Sequence, residues 1–226
     1  MRLLLAAFVL CCFLGNSEGA TTVWLSGSTY IETTWIDGLN PTTNYSESDP
    51  NVTWRSASNA MNAKILMTIK PLGLPTGIVI TDAQLWITGV DWPDEQDITV
   101  DIHRVLQDMT VGGATWNKYD GASDWNAAGC GTPATDFQAG ILGSKVVPSG
   151  LPIVDSLRVD GGVAAFSLEV NARRTQTWHV VLQDVSSPAS PETFEVKGSG
   201  AASDPPRLII TYNTIAATPG AGLWWW

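Results

Sequence analysis

The sequence predicts an all-β chain: two antiparallel sheets packed face to face as a jelly-roll-like β-sandwich of about ten strands. Three observations predict it. Short runs in which apolar and polar residues alternate recur along most of the chain. Clusters of Gly and Pro separate those runs. The helical period of 3.6 is nearly missing, and only residues 170–176 are expected to form a single helical turn.

Residues 1–19 read as an export signal. Arg2 gives a positive start, and Leu3 to Leu14 is an apolar run of signal-peptide length, short of the ~20 residues that span a bilayer. Ser17 and Gly19 are the small residues that a cleavage site requires, so the cut is expected near Gly19–Ala20. The remaining chain is then secreted, extracellular or on the cell surface. About two hundred residues remain, enough for one core. The domain is expected over residues 20–213.

The strand runs follow. Residues 29–36 (TYIETTWI) and 51–57 (NVTWRSA) are short and rich in Thr, Ile, Val and Trp. In 63–70, Ile65, Met67 and Ile69 share a face; in 82–89, Ala83, Leu85 and Ile87 oppose Gln84, Trp86 and Thr88. In 97–105, Ile98, Val100 and Ile102 oppose Thr99, Asp101 and His103, and the column of Asp97, Asp101 and His103 is expected to be solvated. Residues 164–170 align Phe166, Leu168 and Val170, and residues 177–184 align Trp178, Val180 and Leu182. Residues 193–198 and 207–213 complete the set. Phe166, Leu168, Trp178, Val180, Ile210 and Tyr212 are expected in one core. Residues 107–162 are long and poor in strand pattern, and long loops are commonly functional or mobile. Residues 214–226 form a tail ending in Trp224, Trp225 and Trp226. Such indoles dock on this protomer, dock on a neighbour, or belong to a longer hydrophobic segment.

Composition narrows the partners. The net charge is −10, which disfavours nucleic acid, anionic membranes and polyanionic glycans. It is compatible with neutral polysaccharide or self-association, and with calcium. Cys11 and Cys12 fall in the signal, which leaves Cys130 without an internal disulfide partner. Cys130 is either a buried small hydrophobe or a reactive thiol.

No His-Glu-x-x-His, phosphate loop or, beyond the leader, Gly-x-Ser-x-Gly elbow occurs. The expectation is therefore a non-catalytic protein. The stretch GATWNKYDGASDWNAAGCG (113–131) concentrates aromatic and carboxylate residues in a Gly-rich loop. Aromatic rings bind sugars by stacking under their apolar C–H faces, with a polar neighbour fixing orientation. Tyr119 and Trp125, with Asp120 and Asp124 beside them, are the candidate ligand residues, because they flank the surface turn DGASD. Trp86, on the second face of its strand, is another. Trp116 is expected to close the core. Asp91, Asp94, Glu95 and Asp97 gather around Pro93. Hard oxygen ligands in a loop suit Ca²⁺, so Asp91, Asp94 and Asp97 are the candidate metal residues, with an ordinary solvated acidic turn as the alternative. Asn44 and Asn51 begin glycosylation sequons.

The order of these runs resembles the DNRLRE domain family over Ser28 to Asn213. The carriers are STYIETT, NPTTNYSES, AKILMTIKPLGLPTGIVITDAQLWI, VDIHRVLQDMTVGGATWNKYDGASDWNAAGCG, AAFSLEVNARRTQTW and PPRLIITYN. The pattern departs from the family at Ser46, where Gly is usual, and at Lys64, where Arg is frequent. The resemblance implies a jelly-roll-like module carried on secreted or surface proteins and similar to carbohydrate-binding modules. The function expected is a secreted β-sandwich module that binds polysaccharide or decorates a surface. The alternative is a structural subunit of an extracellular fibre, assembled through terminal segments such as TTVWLSG (21–27).

Overall fold

The computed structural model describes residues 20–45, 51–55, 63–91, 93, 96–150, 156–185 and 192–215. The expected signal, Asp94 and the terminal tryptophans lie outside them. The strands are β1 (Thr21–Ser26), β2 (Ile31–Asp37), β3 (Asn51–Arg55), β4 (Ala63–Ile69), β5 (Ile78–Asp91) and β6 (Ile98–Val105). They continue with β7 (Phe137–Val147), β8 (Ser156–Arg158), β9 (Trp178–Asp184), β10 (Thr193–Lys197) and β11 (Arg207–Thr214). One helix, α1 (Ala164–Arg173), precedes β9.

The fold is an all-β sandwich of two antiparallel sheets. One sheet runs β2-β4-β9-β6-β7. The other is built on β1-β11-β5, with β8 beside the middle of β5. β5 is long enough to leave this sheet and pair Gly89 and Asp91 with β10, which pairs in turn with β3. Period-two alternation sets the inner faces. Ile65, Met67 and Ile69 of β4 meet Leu85 and Ile87 of β5, Val180 and Leu182 of β9, and Ile210 of β11 in the main core.

The helix corrects one expectation. Residues 164–170 are not a strand, and Leu168 is not in the core: it is 70% exposed. Phe166 and Val170 are buried, and their spacing of four residues is a helical spacing. Ala164, Ala165, Leu168, Glu169 and Ala172 all favour helix, and Glu169 pairs with Arg173 one turn on. Gly161 and Gly162 take positive φ just before the helix and break the chain away from β8. The other five expected core residues do share the main cluster.

A second correction concerns β4, β6 and β9. Their outward faces are not solvated. Asp101, His103 and His179 are each at most 6% exposed. Residues 106–136 fold back over this face and bury it. Ile36, Leu66, Val105, Phe137 and Val181 of the sheet pack against Met109, Val111, Ala114, Trp125 and Cys130 of the covering segment. The middle of this sheet is therefore buried on both sides, which is why β4 is buried at all seven positions, whereas β7 at its edge keeps Ile141 and Val146 exposed.

Candidate functional site

The covering segment was the first candidate site, and its geometry reassigns the aromatic residues. Trp125 is 4% exposed, and its indole N–H donates to the Thr115 carbonyl at 3.0 Å. It is a core residue and not a surface ring. Trp116 is only partly buried and packs on the edge of the same cluster, so Trp125 is the more deeply buried of the two tryptophans. The indole of Trp116 lies against Gly129, where a Cβ would come within 2.5 Å of the ring. Tyr119 is half-buried, with its ring 5.5 Å from that of Trp125.

The carboxylates of the segment are used internally. Asp120 accepts the backbone N–H groups of Ala122 and Ser123 and the Ser123 hydroxyl. The hydrogen bonds from Ser123 and Ala122 hold its carboxyl below the usual range. Asp124 is exposed and pairs with Lys118 at 2.9 Å. Asp136 is fully buried and accepts from Asn126, Ala127 and Thr132. The Lys64 ammonium enters from the sheet and donates to the Cys130 carbonyl at 3.2 Å. Burial lowers the Lys64 pKa, against the opposing influence of Cys130 and Asp136. Cys130 itself is fully buried, and burial pushes its thiol up to about 12, so it is the small hydrophobe of the two alternatives. Asn44 of the first sequon donates its amide to the carbonyls of Val111 and Ala114 and ties the segment to the body.

Of the expected metal residues, Asp91 and Asp97 are apart in their contacts. Asp97 accepts the Ser149 N–H and hydroxyl, and Asp91 pairs in register with Glu195 at the end of β5. No group of three or more His, Cys, Asp or Glu is gathered to hold a metal ion among the described residues.

A groove lies at the rim of the covered sheet. Asp108, Thr177 and His179 line both of its lobes, of about 230 and 500 Å³. His179 Nδ1 meets the Thr68 hydroxyl at 2.9 Å, and Nε2 lies 3.6 Å from the exposed Asp108 carboxylate. Thr, His and Asp in line have the composition of a nucleophile relay. However, 3.6 Å exceeds a hydrogen bond that would orient a base. Burial holds His179 below its ordinary pKa, more than Asp108 raises it.

The remaining aromatic candidate, Trp86, stands elsewhere. On β5 it lies between Leu85 and Ile87, both buried, and therefore faces outward. On β1, Trp24 lies between Val23 and Leu25 and is 65% exposed. Between them on β11, Arg207 precedes buried Leu208 and faces the same way. Its guanidinium carbon is 5.4 Å from the Trp24 ring centre and 5.9 Å from that of Trp86. Both distances allow cation–π attraction. Trp24 is level with Ile209 and Gln84, and Trp86 with Arg207, so the two tryptophans are two strands apart and offset by two residues, roughly 12 Å between backbones.

Polar groups continue the row. The Trp86 N–H donates to Gln84 Oε1 at 2.9 Å, and Gln84 Nε2 donates to Asp82 at 2.7 Å. Arg158 of β8 lies 3.5 Å from Asp82 and donates to Asp160 at 2.7 Å. The arrangement is a flat face with two indoles, fixed cations and amides beside them. It can stack on apolar ring faces and hydrogen-bond hydroxyls. Trp24 and Arg207 were not singled out in the sequence. The alternation of Val23, Trp24 and Leu25 is present, but a run of six residues fits a terminal docking segment as well as a sheet strand.

No protein-family model matches the chain, and no curated protein matches it. Among the described residues, no helix is long and apolar enough to cross a membrane.

Proposed function

We propose that this protein is a non-catalytic module that binds neutral polysaccharide on the outer face of the β1-β11-β5 sheet. The observation that carries the reading is the row Trp24–Arg207–Trp86. Two indoles set diagonally, roughly 12 Å apart, offer two stacking places along an extended glycan. The guanidinium between them limits their freedom, so less rotamer entropy is lost when a sugar stacks. Gln84, Asp82 and Arg158 supply hydrogen-bonding groups at one side. The net charge of −10 favours neutral chains over acidic ones. The resemblance set out above implies a module of the same kind.

The test is co-sedimentation with insoluble neutral polysaccharides, beside acidic ones as controls. Trp24→Ala and Trp86→Ala should each weaken binding about 2- to 10-fold, the size of an aromatic contact beyond plain burial. Trp125→Ala, if folded, should leave the affinity as it is. Equal binding by wild type and both outer-face variants, or no neutral glycan bound at all, would remove this reading.

A further inference from the structure

We propose that the rim groove binds a phosphate monoester, with Arg104 and Arg173 holding the phosphate in the small lobe and the organic body lying along the large one. The small lobe, about 230 Å³, is walled by these two arginines from different elements, β6 and α1. Both guanidiniums meet the same oxygen, Glu169 Oε1, Arg104 at 3.1 Å and Arg173 through its Nε. One carboxylate therefore holds two positive charges side by side and neutralises one of them. Each arginine gives one nitrogen to Glu169, and among the described residues neither guanidinium donates to any other protein group. Two donors of lining residues, Arg104 Nε and the indole N–H of Trp178, are buried without a partner. Trp178 is 3% exposed. Buried donors left open are few in folded proteins. Each unpaired buried side-chain group among the lining residues is a donor, so the ligand that completes the lobe is an acceptor.

The choice of phosphate follows from its oxygens and from Asp108. A carboxylate has two oxygens, which fill one guanidinium fork. Two forks call for the three free oxygens of a tetrahedral ester, a shape that phosphate and sulfate share. Asp108 separates them. Its carboxylate stands in the wall of both lobes, 3.6 Å from His179 Nε2. It repels a sulfate ester, which carries no proton at neutral pH. A phosphate monoester, with a second pKa of about 6, keeps a proton on part of its population, and that O–H can donate to Asp108. The large lobe, about 500 Å³, runs on from Asp108 and Thr177 to the apolar side chains of Pro71, Met109 and Val111, which suit an organic body. The rest of the chain, at net −10, repels anions, so binding here depends on the arginine pair and should vanish with it. This site is separate from the outer-face row and does not rest on the glycan reading.

The experiment is isothermal titration calorimetry of the full chain at neutral pH with inorganic phosphate, phenyl phosphate, phenyl sulfate and acetate. Inorganic phosphate should bind at about 0.1–1 mM, and phenyl phosphate about tenfold more tightly because its ring enters the large lobe. Phenyl sulfate and acetate should bind about tenfold more weakly than phenyl phosphate, or less. Arg173 lies in the last turn of α1, and circular dichroism checks that its variants fold. Arg173→Gln should weaken phosphate about 10- to 100-fold, the loss of charge-assisted hydrogen bonds. Arg173→Lys keeps the charge without the fork and should lose most of the same affinity. Asp108→Asn should let phenyl sulfate bind nearly as well as phenyl phosphate. Trp86→Ala should keep the phosphate affinity while losing glycan affinity, so the two proposals stand or fall separately. No binding of phosphate at about 10 mM overturns the site, as does an affinity unchanged by Arg173→Gln. Inorganic phosphate bound as tightly as phenyl phosphate overturns the monoester, and phenyl sulfate bound as tightly overturns the choice of phosphate.

Discussion

Asp136 carries the covering segment. A fully buried carboxylate is costly unless its oxygens are satisfied. Here three backbone N–H groups, from Asn126, Ala127 and Thr132, point at one side chain, at 2.8, 3.1 and 2.9 Å. The segment has no strand ladder to occupy these donors, so the carboxylate takes the place of one. An amide in the same position presents a donor to donors. Asp136→Asn is therefore expected to destabilise the protein by about 2–4 kcal/mol, the scale of hydrogen bonds to a buried charged acceptor. Urea unfolding followed by circular dichroism measures it, and a loss under about 1 kcal/mol would show that water satisfies these donors instead. The same scale governs Gly113, where a Cβ would come within 2.4 Å of the Asp120 backbone; the loop can close only over a glycine there.

At the scale of elements, helix α1 gives the clearest contrast. Phe166 is fully buried, with its ring 6.2 Å from that of Trp178, whereas Leu168, two residues on, is mostly exposed. Phe166→Ala should cost about 3–5 kcal/mol, and Leu168→Ala should stay within about 0.5 kcal/mol. Comparable losses at both would mean that 164–170 is a strand after all. This element also shows where sequence pattern fails. Ala165-Phe166-Ser167-Leu168-Glu169-Val170 satisfies period two, yet Phe166 and Val170 also satisfy the helical i, i+4 spacing, and in so short a run the two cannot be separated. Strands with one apolar face against polar neighbours were legible, β5 because its burial is largely one-sided and β6 because its covered face is polar, with Asp101 and His103 opposite Val100 and Ile102. β7 was not: Gly140 and Gly143 interrupt its pattern, and Asp160 lies so close to Gly143 that no side chain fits. Of the candidate site, Trp86 was legible from alternation. Trp24 was not, because its inward neighbours are only two. The deep burial of Trp125 was not legible either, since it depends on which indole reaches the outward face of a distant sheet.

For the whole molecule, the consequence is that two apolar clusters share one sheet. β4 gives Ile65, Met67 and Ile69 to the main core and Leu66 to the covered face. β9 divides in the same way, with Val180 and Leu182 on one side and Val181 on the other. Neither cluster can lose its sheet without exposing the other, which argues for one cooperative transition. The covering segment is nevertheless joined to the sheet chiefly by side chains and not by a ladder, and such units can open separately at lower free energy. Cys130 decides between these outcomes. It lies within the covered cluster, and its thiol is held at about 12 by burial, so it should not react while the segment is closed. Pulse labelling of the thiol across a urea series is therefore a local probe, and far-UV circular dichroism follows the strands. The shared sheet should make the two midpoints coincide. Labelling of Cys130 at urea concentrations where the strands remain intact would instead show that the cover opens over a standing sandwich. In that case Leu66, Val181 and His103 would be the surface it uncovers.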